Sequence, residues 1–459
     1  MLHTNFLYRC HVFKCHQLYT SIAYINNEIH PFLLLTAKLL KKNDIKHRKI
    51  RKRKYFCIVK QISINKYTLR IFIIGYFLMN AMFVHAFEKS SKEDSIVCSL
   101  ITCSPYGEEI YSLYGHTAIR YRDLRNHQDW VFNYGVFNFR KPFFIAHFAL
   151  GLTDYELGVV PFNIFIEEYK RQNRTVTEQV LNLTESEKTG LFKALVINLE
   201  PQNKEYRYNF LSNNCTTRAR DMIESCVEGT IHYAKNNITN ASYRSIINQY
   251  TVCHPWAQFC NNLFLGLTAD RTITNSERQF IPNNLMEDFN KASIVRKDTQ
   301  CVLVTHENTL LRHSETCSTK SYGITPQAVF SFLLLLTLLC TWIEYKKNMH
   351  FPWFDTCLLS LISIVGIFVA VVFISKHPST STNLQLLILN PIPLFFLYKI
   401  IRKRFTKFWN FELSAVILFF LGSFFQEYAE GMILLALSLL IRCMSNIRNG
   451  NIHKRVAQQ

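Results

Sequence analysis

Apolar and polar residues alternate through the middle of the chain. In HTAIRYRD (116–123) and DWVFNYGVF (129–137) apolar residues recur at every second position, which predicts two neighbouring strands. RTVTEQVLNL (174–183) predicts another. The period then changes. LTESEKTGLFKALVINLE (183–200) spaces Leu191, Leu195 and Leu199 four apart, carries the capping box Thr184-x-x-Glu187 and stops at Pro201. Further on, Ala219, Met222, Ile223 and Cys226 share one face of a helix that starts near Cys215. From about residue 325 long apolar runs take over, at 325–343, 358–374, 384–401, 411–425 and 428–444. At ~1.5 Å per residue, runs of 17–19 residues match a bilayer core of about 30 Å, and the fourth run is the shortest. The pattern predicts an α+β domain over 87–324, a bundle of about five transmembrane helices over 325–445 and a basic tail over 446–459.

An earlier apolar run, LRIFIIGYFLMNAMFVHA (69–86), follows the basic stretch KHRKIRKRK (46–54) and ends on the small residue Ala86. A basic flank, an apolar centre and a small terminal residue are the marks of a secretory signal, here cleaved or kept as an anchor. Ahead of it, residues 1–68 form a basic leader. No methionine occurs between Met1 and Met79, so the leader reads as a start-site artefact, extended upstream from a non-ATG codon.

The net charge of +19 invites a nucleic-acid partner, but its placement argues for a membrane. The first sixty residues hold thirteen Lys/Arg against two Asp/Glu. Towards the C-terminus, basic residues gather at 399–407 (Lys399, Arg402, Lys403, Arg404, Lys407) and from the end of the last apolar run onward (Arg442, Arg448, Lys454, Arg455). The connections between these hold Lys376 in one case and Glu427 and Glu430 in the other. Five spans entered from outside put both basic regions in the cytoplasm and the 87–324 domain outside it. No nucleic-acid recognition motif accompanies the charge.

Export bears on the chemistry of NFLSNNCTTRARDMI (209–223), where Cys215 is open to three roles: disulfide partner, packing residue or nucleophile. Eight cysteines fall in the exported domain. Cys98/Cys103, Cys253/Cys260 and Cys301/Cys317 are near enough in sequence to pair, and Cys215–Cys226 is a further possible bridge. Cys340, Cys357 and Cys443 lie in or near the apolar runs as packing residues. A zinc site from Cys253, His254 and Cys260 lacks a suitable ligand spacing. For a nucleophile, a helix start supplies partial positive charge and free N–H groups that favour thiolate and can hold an oxyanion. Thr216 and Thr217 are suitable caps. A base is available in SLYGHTAIRY (112–121), where Gly115 leaves room beside His116 at the head of a strand. A structural role for that histidine stays open.

A histidine-bearing strand, a second strand with a polar residue and a later helix-starting cysteine are the parts of a papain-like site in permuted order. The run YGHTAIRY, VFNYGVFNF, LNLTESE, YRYNFLSNNCTTRARD and FIPNNL, followed by several apolar spans, resembles the Lnb family of lipoprotein N-acyltransferases of the Bacteroidetes, over roughly 95–445. More distantly, GHTAIRY with NNCTT resembles the circularly permuted papain-like thiol enzymes, lecithin:retinol acyltransferase among them.

The resemblance implies a permuted papain-like α+β domain in the periplasm, anchored in the bacterial inner membrane. It implies Cys215 as acyl-accepting nucleophile, His116 as base and Asn133 as the residue orienting the imidazole, with Asn133 equally readable as a strand-edge asparagine. Tyr114, Asn214 and Thr216 would shape the site or its oxyanion hole. A glycerophospholipid would donate the acyl chain, a diacylated lipoprotein would accept it, and no cofactor or metal is implied. The aromatic stretch FNFRKPFFIAHFALG (137–151) is either a lipid-facing wall or ordinary core, and Lys376, His377 and Asn390-Pro391 are candidate head-group contacts. Two other classes fit the same residues: an exported papain-like cysteine hydrolase of peptidoglycan peptides or lipid esters, and a non-catalytic membrane-bound assembly protein with Cys215 in a disulfide.

Overall fold

The alternating segments form one antiparallel sheet. A computed structural model of the chain describes residues 95–458, apart from 108, 138–141, 235–240, 298, 314–322 and 403–406. The leader 1–68 and the signal segment 69–86 therefore lie outside the described residues. The strands are β1 (Ile96–Cys103), β2 (His116–Asp123), β3 (Gln128–Val136), β4 (Asp154–Pro161), β5 (Val176–Leu181), β6 (Glu205–Arg207), β7 (Thr230–His232), β8 (Ser293–Arg296), β9 (Thr299–Val302) and β10 (Val304–Leu311). Seven of them run in the order β10-β5-β1-β2-β3-β4-β6, and β7-β8-β9 make a small second sheet. HTAIRYRD is β2 and pairs antiparallel with β3, Ile119 opposite Phe132.

Side chains alternate across the sheet, so each face has its own core. Ile119, Tyr121, Phe132 and Tyr134 are covered on one face by Leu191, Leu195, Ala219, Ile223, Leu285 and Phe289. Ala118 and Val131 point the other way, onto Phe165 and Tyr169. The helices supplying these contacts, with their neighbours, are α1 (Phe144–Ala149), α2 (Phe162–Arg171), α3 (Glu185–Asn198), α4 (Cys215–Cys226), α5 (Tyr243–Thr251), α6 (Pro255–Phe264) and α7 (Pro282–Lys291). Helix α3 begins as its sequence predicts: Thr184 accepts from the Glu187 N–H at 3.2 Å, and Glu187 accepts from the Thr184 N–H at 2.7 Å. At the centre of the sheet, buried Arg120 joins Asp129 and Glu178 at 2.6 and 2.9 Å, which locks β2 to β3 and holds its charge paired.

Beyond residue 325 the structure departs from five plain helices. Among the described residues, three helices are long and apolar enough to cross a membrane: α8 (Pro326–Lys347), α9 (Pro352–Phe373) and the Met432–Gly450 part of α11 (Met432–Gln458). The fourth run forms the shorter α10 (Phe408–Gly422). The third run, 384–401, is not a single helix. It breaks into two 3₁₀ turns, Leu384–Leu387 and Ile392–Phe395, before a short helix at Leu397–Ile401. Pro391 and Pro393 remove two N–H donors and disfavour helix in the residues ahead of them, which explains the break. Asn390, read above as a head-group contact, is buried and binds within this turn, to Leu387 O and the Ile392 N–H.

Side chains beside the start of this broken run bind backbone of neighbouring elements. Asn383 donates to Leu263 O, Gln385 donates to Asn262 O and accepts from the Ala429 N–H, and Gln426 accepts from the Leu384 N–H and donates to Leu265 O. Two of these residues belong to α6 of the α+β domain, and Leu263 packs into the apolar core of the membrane bundle. Helix α6 is thus the joint between the two halves.

Candidate active site

Asn214 fixes the position of Cys215. Its side-chain oxygen accepts from the N–H groups of Thr216 and Thr217 at 2.8 and 2.9 Å. Its amide nitrogen donates to Phe210 O and Phe280 O at 2.7 and 2.8 Å. The Asn214 N–H in turn donates to Thr217 Oγ1 at 2.9 Å. Asn214, rather than either threonine, is therefore the cap, and Cys215 is the first residue of α4. The thiol lies at the positive end of the helix dipole, and none of these bonds takes the N–H of Cys215 itself.

His116 opens β2, opposite Cys103 of β1. The glycine before it serves a different purpose from the one its sequence suggests. Gly115 has φ +84°, and a Cβ there would lie 2.7 Å from Cys103 O, so it permits the close approach of two backbones rather than clearing space beside the ring. Asn133 stands on β3 at a register shift that runs to Val136, the kind of irregularity that re-aims side chains near a site. His116 Nε2 lies 3.1 Å from Asn133 Oδ1. An amide oxygen only accepts, so Nε2 carries the hydrogen and Nδ1 is left for the thiol, with which His116 shares a hydrogen bond.

Three segments far apart in sequence thus converge, and their electrostatics are specific. Burial pushes the Cys215 thiol up, but the charge of His116, its hydrogen bond, the Thr117 N–H and the Thr216 hydroxyl together bring it down to about 7. His116 moves the other way. Burial lowers it, and the Cys215 charge with hydrogen bonds to Cys215 and Asn133 carries it above the usual imidazole range. Cys103 gives the contrast: burial raises its thiol to about 12 even though Arg174 is close. One cysteine of the domain is drawn towards the thiolate by a neighbouring imidazole, and another is held as a thiol by burial.

The remaining expected residues sit around this pair in different ways. Thr216 Oγ1 lies 3.8 Å from Cys215 Sγ and 3.1 Å from Thr117 Oγ1, so it touches the sulfur. Asn214 spends both amide hydrogens on carbonyls and shapes the site as a cap, with none left for an oxyanion. Tyr114 is buried against Phe210 and Tyr250, and its hydroxyl accepts from Asn261 Nδ2 of α6 at 2.7 Å. Two residues escaped the sequence. Gly135, φ +90°, lies against Cys215, where a Cβ would come within 3.6 Å of the cysteine Cβ. Tyr208 is held protonated by burial and by the nearby charge of Cys215, and its ring stacks on Tyr155 at 4.0 Å. Its place in YRYN, seven residues before the cysteine, carries no sign of that proximity.

The expected disulfides need correction. Cys98, Cys103, Cys215, Cys226, Cys260 and Cys301 are all free thiols, so Cys98/Cys103, Cys253/Cys260, Cys301/Cys317 and Cys215–Cys226 do not pair. Cys98 and Cys103 lie along one strand, which spreads them too far for a bridge. Cys253 is disulfide-bonded, to a partner outside the described residues. With Cys215 free, the disulfide role closes.

Fold and site together define a membrane-anchored protein with a thiol–imidazole centre in its α+β domain. Residues 82–249 match the Lnb N-terminal periplasmic domain and residues 318–452 the Lnb transmembrane domain, so the chain belongs to the Lnb family. It is a multi-pass inner-membrane protein with a periplasmic domain, of a family of membrane enzymes concerned with lipoproteins. No curated protein and no solved structure matches it.

Proposed function

We propose that the protein is a lipoprotein N-acyltransferase with a permuted papain-like centre, in which Cys215 is the nucleophile, His116 the base and acid, and Asn133 the residue that orients the imidazole. The observation that carries this reading is the lowered thiol of Cys215 at the head of α4, paired with a histidine whose second nitrogen is held by Asn133. The Cys215 thiolate attacks an ester carbonyl of a glycerophospholipid. The C–S bond forms, the C–O bond breaks, and His116 gives its proton to the departing lysolipid hydroxyl. The oxyanion of the tetrahedral intermediate is held by the Cys215 N–H at the helix start. The free α-amine of a diacylated lipoprotein, on its N-terminal cysteine, then attacks the thioester. Its C–N bond forms as the C–S bond breaks, the amine proton passes to His116, and the thiolate returns.

Periplasmic placement brings the thiol to the leaflet where both lipid substrates sit, and the membrane bundle holds it there. The test is intact-mass analysis of lipoprotein N-terminal peptides from a host lacking its own N-acyltransferase. One added acyl chain with the wild type, absent with Cys215→Ser, is the expected result. A well-expressed, inserted wild type that adds none would overturn the reading.

A further inference from the structure

The bundle and the α+β domain meet at a second place, and the surface there is unusual. Helix α1 carries Phe143 and Ile145 at its start, 80% and 82% exposed. Phe143 is held at φ +56° to begin the helix, a conformation that costs a bulky residue energy. Among the described residues, nothing in the α+β core covers these two side chains.

Their neighbours say what does. Leu150, just past α1, accepts from the Lys376 N–H at 3.0 Å, and His377 Nε2 donates to Phe148 O at 2.8 Å. Residues 376 and 377 follow directly on the end of α9, a membrane-crossing helix. Helix α1 is therefore fastened at the level where a span leaves the bilayer. The same end of the bundle exposes Ile374, Phe424 and Phe425 at 74%, 84% and 71%. The turn holding 424 and 425 is tied there by Gln426, which binds the Leu384 N–H. Phe143 and Ile145 continue an apolar rim that the bundle already presents to lipid.

From α1 a row of rings leads inward. Phe144 stacks on Phe137 at 5.9 Å, Phe137 meets Tyr155 tilted at 4.9 Å, and Tyr155 stacks on Tyr208 at 4.0 Å. Tyr208 is the tyrosine beside the thiolate.

We propose that the start of α1 is an interfacial lip, immersed in the outer leaflet through Phe143 and Ile145, and that the rings from Phe144 to Tyr208 guide an acyl chain from the bilayer to Cys215. The guiding role rests on the acyl-transfer reading; the immersion does not. Lys376, exposed beside the lip, stands where a lipid phosphate would be.

The test uses the full chain in vesicles of phosphatidylethanolamine and phosphatidylglycerol, with a benzophenone amino acid at position 145 or, as reference, at Leu124 in the β2–β3 turn. Irradiation at 145 should add the mass of a phospholipid, and at 124 should not. Absence of a lipid adduct at 145, or equal adducts at both, overturns the lip whatever the enzyme does. The second readout is the Cys215 acyl-thioester, measured by intact mass from vesicles and from monomeric short-chain phospholipid. Phe137→Ala with Phe144→Ala should lower the vesicle rate relative to the short-chain rate by about tenfold or more, since it deletes two of the guiding rings and leaves the lip in place. An unchanged ratio alongside a lipid adduct overturns the guiding role. Failure of the wild type to form the thioester from either donor refutes acyl transfer, and the guiding role with it, and leaves the lip to be judged on cross-linking alone.

Discussion

Replacing His116 with alanine removes the main influence that lowers the Cys215 thiol, and the size of the response follows from the structure. With the imidazole present the thiol sits at about 7. Without it, burial acts with less opposition, and Cys103 shows where burial leads even against a nearby arginine, to about 12. The variant thiol should therefore rise at least to its ordinary value of 9.0. At pH 7 the thiolate fraction then falls from about one half to about one in a hundred. A more basic thiolate is also a better nucleophile, by a factor of roughly 6–10 over two units at a Brønsted slope of 0.4–0.5. The net loss in exchange rate with an aromatic disulfide at pH 7 is thus only about 5–10-fold, while the midpoint of the pH profile moves up by about two units or more. Above pH 9 the order should reverse, the variant reacting faster. The assay follows the mixed disulfide at Cys215 by peptide mass across pH 5–10, in the full chain held in detergent, with His116→Gln as a shape control. A midpoint unmoved from about 7, or no crossing of the two profiles, would refute the assignment of His116 as the source of the thiolate.

Three further outcomes are expected. Asn133→Ala removes a hydrogen bond to an imidazolium, worth about 1.5–3 kcal/mol, so kcat for thioester formation should fall about 10–100-fold with KM little changed. Asn214→Ala strips the cap of α4 and should lower the stability of the α+β domain by about 2 kcal/mol, read as a lower melting temperature; Asn214→Asp should recover part of this, since it keeps the acceptor for Thr216 and Thr217 but faces the Phe210 and Phe280 carbonyls without donors. Inside the bundle, Arg442 joins Asp355 and Glu344 at 2.6 Å each, all three buried. Arg442→Met leaves two carboxylates without that partner and should cost about 3–5 kcal/mol, seen as faster proteolysis of the detergent-held protein.

Local rules carried the sequence a long way here, and stopped where distance begins. β2, the capping box of α3 and the helix after Cys215 are readable because alternation and capping are encoded within a few residues. His116 and Cys215 were legible for the same reason, as a histidine at a strand head and a cysteine at a helix head. What joins them is not local. Asn214 reads as one asparagine among three until Phe210 O and Phe280 O show why the amide is needed. Gly115 reads as space for a ring until the register of β1 on β2 brings Cys103 O beneath it. The run 384–401 reads as a span because hydropathy ignores its two prolines, which divide it into two 3₁₀ turns and a short helix.

Helix α6 also bears on why the proposed thiol enzyme should carry so much membrane. Asn261 of this helix binds the hydroxyl of Tyr114, two residues before His116. The next two residues, Asn262 and Leu263, give their carbonyls to Gln385 and Asn383 at the broken segment of the bundle. Asn262 also accepts from the fully buried Arg244, which is paired with Asp270 at 2.5 Å. A polar junction of this kind is rigid because each member left alone would be a buried, unsatisfied group. The segment leading into the histidine strand is thereby tied to the membrane-side backbone through a single helix. A soluble hydrolase tethered for convenience would need one span and a loose linker. Here the bundle takes part in holding the ground on which His116 stands, which fits the proposed reaction, whose substrates would arrive from the bilayer.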